Sequence, residues 1–220
     1  YDARRLHPSR TSYPMALGAT IHAFTVRLAD ADRGVYETLN LRVARHPSET
    51  AEYLLTRLLA YLLEYTEGIA FSRGLSEPDE PAIAIRDLTG TLQAWIDIGT
   101  PEAARLHKAA KATRRVAVYV HREPEPWLAR LAGERIHRAE ELEVHVVDRD
   151  LLAALVARLE RRMEFDLSVA ERTLYLALDG QTLTGAVALR LVASSVTADQ
   201  KPSASSTLVP ASSASFGRGS

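Results

Sequence analysis

The sequence predicts an α/β fold, a mixed β-sheet flanked by helices, and three features of its 220 residues carry that expectation. Segments of period two alternate along the chain with segments of helical period, the pattern of strands interleaved with helices. Hydrophobic residues make up 46% and charged residues 25%, the mix of a packed core. The length suits one sizeable domain with appendages.

The elements follow in order. Thr20, His22, Phe24, Val26 and Leu28 alternate with their neighbours as in a strand, and Asp30-Ala31-Asp32-Arg33-Gly34 supplies a turn. Val35 to Arg45 reads as a second strand with Leu39, Leu41 and Val43 on one face, which makes an N-terminal β-hairpin. From Ser48 onward Ala51, Leu54, Leu55, Leu58, Leu59, Leu62 and Leu63 recur at helical spacing, so a long buried helix is expected to stop near Gly68. Ser48 reads as its N-cap, with Glu49 in the first turn where a carboxylate suits the helix dipole. Phe71 to Pro81 reads as a loop. Pro81 to Asp87, a turn around Gly90, and Thr91 to Gly99 follow, the last a strand with Leu92, Ala94, Ile96 and Ile98 alternating.

Thr100-Pro101-Glu102 reads as a helix start of cap, proline and acid, with the helix running to about Thr113. A strand at Val116, Val118 and Val120 comes next, then a helix from Pro126 to Leu131, a strand from Leu142 to Val147 and a helix from Asp150 to Met163. Phe165 to Val169 and Thr173 to Leu178 read as a closing hairpin, with Asp179-Gly180 as a second turn. The domain is expected from Met15 to Val192. Residues 1–14 read as an extension, and residues 193–220, dominated by Ser and Ala, read as a disordered tail. No stretch is apolar enough for a membrane span.

Composition narrows the chemistry. The chain has no cysteine, which excludes disulfide scaffolds, thiolate zinc sites and thiol nucleophiles and fits a reducing cytoplasm. The net charge is −1, yet the charges are segregated. Glu64 to Glu80 carries five acids and one Arg, whereas Arg105, Lys108, Lys111, Arg114 and Arg115 give +5 over eleven residues without an acid. Only three basic residues are Lys: Lys108, Lys111 and Lys201. There is no G-x-x-x-x-G-K-[ST], no G-x-G-x-x-G and no H-E-x-x-H, and no two His lie three or four positions apart. What remains is a set of carboxylates at element boundaries, Glu49, Asp79 and Asp97. Oxygen ligands of this kind suit Mg²⁺ or Mn²⁺ completed by substrate phosphate. Each also has an ordinary reading as a capping, turn or ion-paired residue.

Taken together the segments resemble the YaeQ family. The matching stretches are Ala44-Arg45-His46-Pro47-Ser48-Glu49-Thr50, then Gly74-Leu75-Ser76 leading to Asp79-Glu80-Pro81, then Trp95-Ile96-Asp97-Ile98-Gly99 with Pro101, Arg105-Leu106 and Lys108-Ala109. The resemblance implies a variation of the PD-(D/E)XK nuclease fold, with an αβββαβ core behind the N-terminal hairpin. Carried over position by position, it makes Pro78-Asp79 the "PD", Asp97 the second acid and Glu49 the helical acid. Glu49, Asp79 and Asp97 would then hold Mg²⁺ or Mn²⁺, with Asp79, Asp97 and Lys108 catalytic and Arg105 and Lys111 binding phosphate. The sequence departs from the pattern two residues after the second acid, where Gly99 replaces a lysine, and Lys108 is the substitute.

Two function classes follow. One is a metal-dependent phosphodiesterase or nuclease. The other is a non-catalytic nucleic-acid-binding or regulatory protein that retains the scaffold. Geometry separates them: shared coordination places the three acids within about 5–6 Å of one point. An Asp97 paired with an arginine in a closed core speaks against the enzyme.

Overall fold

The computed structural model describes residues 18–72 and 80–192. The expected termini at residues 1–14 and 193–220, and Asp79 with the rest of residues 73–79, lie outside the described residues.

The chain opens with β1 (Thr20–Asp30) and β2 (Val35–Arg45), paired antiparallel in the expected hairpin. Then come α1 (Ala51–Leu63), β3 (Ile69–Phe71), β4 (Ile83–Arg86), β5 (Leu92–Ile98), α2 (Ala103–Ala112) and β6 (Arg115–Val120). This stretch has the αβββαβ order. Next are α3 (Glu125–Ala132), β7 (Glu143–Val147), α4 (Arg149–Val156), β8 (Arg162–Ala170), β9 (Thr173–Leu178) and β10 (Gln181–Leu191).

The ten described strands form one mixed sheet in the order β2-β1-β8-β9-β10-β7-β6-β5-β4-β3. β5, β6 and β7 run parallel, and β1 runs parallel to β8. β10 joins the halves, pairing with β9 through Gln181–Ala186 and with β7 through Val187–Leu191. Helix α1 touches both edge strands, β2 and β3, as well as β5, β6 and α4, so the sheet curls around it. That placement explains why α1 is buried all round from Leu54 to Leu62, Thr56 and Arg57 included. Its leucines join Phe24, Val26, Leu28, Ile96, Ile98 and Leu167 in the main core. A second core, on the other face of β5 and β6, packs Trp95, Val116, Val118 and Val120 against Leu106 of α2 and Trp127 of α3.

Five expectations need correction. α1 ends at Leu63, with Glu64 as its C-cap, short of the expected stop near Gly68. The N-cap of α1 is Thr50, whose hydroxyl accepts the Tyr53 N–H at 3.2 Å, while Ser48 bonds to His46. Glu49 therefore precedes the helix and turns inward to Arg57. α2 starts at Ala103, because the Pro101 carbonyl accepts the Trp127 indole N–H at 2.9 Å instead of opening the helix. α4 stops at Val156, and Met163 belongs to the buried period-two set Met163, Phe165, Leu167 and Val169 of β8. β3 and β10 were not foreseen. β3 has three residues, too few to show a period. It is held close to β4 at Gly68, where φ is 80° and a Cβ would sit 1.9 Å from the Arg86 carbonyl oxygen.

Candidate functional site

Alternation along β5 decides where the sequence-nominated acids go. Ile96 and Ile98 pack with α1, so Trp95 and Asp97 face α2. Asp97 is 2% exposed. One carboxylate oxygen accepts the Arg105 Nε–H at 2.7 Å and the Trp95 indole N–H at 2.9 Å. The other accepts from the second arm of Arg105 at 2.7 Å and from the Ala82 backbone N–H at 3.3 Å. Arg105 also reaches the Glu80 carbonyl at 2.7 Å, and its guanidinium lies 5.4 Å from the centre of the Trp95 ring. The geometry is a fork, which matches guanidinium to carboxylate bidentately.

Glu49 is closed in the same manner on the α1 side. Arg57 donates to both of its oxygens, at 3.0 and 3.2 Å, and the His46 backbone N–H adds a third bond at 3.1 Å. Arg57 is itself buried and reaches the Ala44 carbonyl, fixing the end of β2 to the helix. Glu49 and Asp97 are thus each closed by an arginine of their own. Tyr53, in the first turn of α1, feels both pairs. Burial raises its hydroxyl pKa, and the charges of Arg57, Glu49, Asp97 and Arg105 all act on it.

A pocket of about 260 Å³ opens at this end of α1, lined by Glu49, Thr50, Tyr53, Gly99, His121 and Arg122 among others. It lies at the carboxyl ends of parallel β5 and β6, the usual place for a ligand in an α/β sheet. Burial lowers the pKa of His121, and its Nδ1 is enclosed without a hydrogen-bond partner among the described residues. Gly99 has φ 86°, a conformation that disfavours any side chain, and a Cβ there would meet His121 at 3.7 Å. Backbone geometry thus accounts for glycine where the resemblance implies a lysine. Lys108 and Lys111 lie exposed on α2, on the side away from buried Leu106.

The divalent ion implied by the resemblance does not fit the described part of this set. Each oxygen of Asp97 and of Glu49 already takes N–H donors, and each carboxylate has a guanidinium against it.

A further cluster, which sequence reasoning missed, sits at the C-terminal end of α1. Arg115 makes a double fork, to Glu64 at 2.7 and 3.0 Å and to Glu143 at 3.0 and 2.7 Å. The Tyr119 hydroxyl donates to Glu64 at 2.9 Å, and the His145 ring stacks on Tyr119 at 4.6 Å. Glu64, Glu143 and His145 present ligand atoms within 4.8 Å of one another, yet Arg115 fills the cationic position among them. Bonding from His145, with Arg115 behind it, lowers the Glu143 pKa to about 2 against the effect of burial. Burial and the neighbouring Glu64 raise Tyr119 well above its ordinary value. Glu64, Arg115, Tyr119 and His145 line a pocket of about 310 Å³ together with Asp30, Arg33 and Arg172. No sequence motif marks this cluster, since its members come from α1, β6 and β7.

The comparisons bear on this chain as follows. The model of the family described as "YaeQ protein" matches residues 15–187. The YaeQ proteins of Escherichia coli (strain K12) and Salmonella typhi are 34% and 33% identical to it. Those matches cover 77% and 74% of this chain and 94% and 91% of the relatives. Among solved structures, YaeQ from Pseudomonas syringae aligns at a TM-score of 0.71 with 32% identity, over 78% of this chain and 95% of that one. YaeQ from Xanthomonas axonopodis pv. citri aligns at 0.70 with 34% identity, over 80% and 99%.

Proposed function

This chain belongs to the YaeQ family, and from that premise we propose that it is a non-catalytic nucleic-acid-binding protein of the cytoplasm, built on a nuclease-like αβββαβ scaffold. The observation that supports this reading most is the closure of Asp97 by Arg105, Trp95 and Ala82. A carboxylate that binds Mg²⁺ or Mn²⁺ needs an open lone pair directed at the ion. Each oxygen of Asp97 already accepts two N–H donors, and Glu49 is likewise paired, with Arg57. The segregated charge of the sequence supports the binding half of the proposal, since phosphate backbones are held by clustered Lys and Arg.

The test is a Mn²⁺ titration with single- and double-stranded DNA and RNA, comparing the full chain with Asp97→Asn. Binding that weakens with salt, without cleavage at any Mn²⁺ concentration, is the expected result. Metal-dependent cleavage by the wild type that disappears in Asp97→Asn would overturn it and restore the phosphodiesterase reading.

A further inference from the structure

Of the five basic residues on and after α2, two point inward: Arg105 closes Asp97, and Arg115 closes Glu64 and Glu143. Lys111 and Arg114 are exposed. The segment after α3 comes to lie against them. Arg138, in a left-handed conformation at φ 50°, donates to the Thr113 carbonyl at 2.8 Å and to the Ala110 carbonyl. It thereby caps α2 and clamps residues 135–138 to it. The Arg135 carbonyl meets the His107 ring at 3.2 Å, and the His137 ring lies edge-on to His107 at 6.4 Å. At about 100° per residue, His107, Lys111 and Lys108 occupy successive angles around α2. Exposed Arg135 and His137 extend the same surface beyond His107. Of the acids near it in sequence, Glu141 is paired with Arg138, and Glu134 and Glu140 are exposed.

We infer that this surface, formed by Lys111, Arg114, Arg135 and the His107–His137 pair, holds the sugar–phosphate backbone of a nucleic-acid duplex without sequence preference. The inference rests on the nucleic-acid reading above and adds the place of contact, on α2 and away from the pocket at Glu49. The surface offers cationic ends, which is the chemistry of backbone positioning.

Three phosphate contacts imply a slope of about −2.7 in log K against log salt for duplex DNA, hence roughly 40-fold weaker binding at 200 mM than at 50 mM. The experiment is fluorescence anisotropy of the full chain with a labelled 20-base-pair DNA duplex across that range. Lys111→Ala/Arg114→Ala/Arg135→Ala, checked for an unchanged melting temperature, is expected to flatten the slope nearly to zero. Arg161→Ala/Arg162→Ala, on exposed residues at the start of β8, is expected to leave it unchanged. A triple variant that keeps the wild-type slope overturns this surface alone, as does an equal loss in both variants. A wild-type chain that binds no DNA or RNA, single- or double-stranded, overturns the functional reading as well. Binding to phosphatidylglycerol vesicles in place of the duplex overturns both in favour of a membrane surface.

Discussion

Replacing Asp97 by Asn removes one charge and sets an amide N–H₂ against donors that the carboxylate accepted, either the Trp95 indole or an arm of Arg105. Breaking a buried ion pair from one side costs about 3–5 kcal/mol, because the remaining charge is stranded. Arg105 is 28% exposed and keeps the Glu80 carbonyl, so the cost falls near the lower bound, about 3 kcal/mol. For a domain of this size that is a drop of roughly 6–12 °C in melting temperature. Thermal and urea denaturation of Asp97→Asn, Arg105→Met and the double variant close a mutant cycle. A coupling of about 2 kcal/mol is expected from groups in direct contact. A carboxylate kept for metal binding behaves differently, since its removal leaves stability unchanged or raised. Single variants within about 0.5 kcal/mol of wild type, with additive effects, would refute the argument that Asp97 serves as one half of a closed pair.

Two further outcomes are expected. The Glu143 pKa is lowered to about 2 in the folded chain, so its stabilisation is complete above the unfolded value near 4.5 and is lost as pH falls through that window. Partial exposure reduces the effect to about 1–2 kcal/mol; urea midpoints from pH 5 to pH 2.5 should fall more steeply for wild type than for Glu143→Gln. Gly99→Lys restores the residue type that the resemblance implies, but at φ 86° it is expected to cost about 1–2 kcal/mol in a denaturant titration and to create no Mn²⁺-dependent cleavage.

Much of the fold was legible because it is written in short-range periods. The 11-residue strands β1 and β2 and the leucine stripe of α1 each repeat a pattern often enough to be read. β10, equally long, escaped because Gly185 and its small neighbours carry no strong alternation; Gly185 is small because a Cβ would come within 2.6 Å of Leu151 of α4. Asp97 and Arg105 were both nominated from sequence, but their mutual contact was not. Whether a carboxylate faces a metal or a guanidinium is settled by side-chain direction across a strand–helix packing, which sequence spacing does not encode. The Glu64–Arg115–Glu143 cluster was invisible for the same reason. Its charges look like parts of an acidic segment and a basic helix until the sheet brings them together. The bias toward arginine acquires a physical sense there, since a planar fork can close one or two carboxylates where an ammonium cannot.

The parallel pairing of β1 with β8 bears on how the chain is made. Arg27 of β1 meets Glu164 of β8 from 137 positions away. At 5–20 residues per second, on the order of 10 s of synthesis separates the two strands. Throughout that interval the edge of β1 that β8 will cover stays unpaired. The ribosome must therefore deliver nearly the whole domain before the sheet can close on α1, and a message truncated ahead of β8 leaves that edge open.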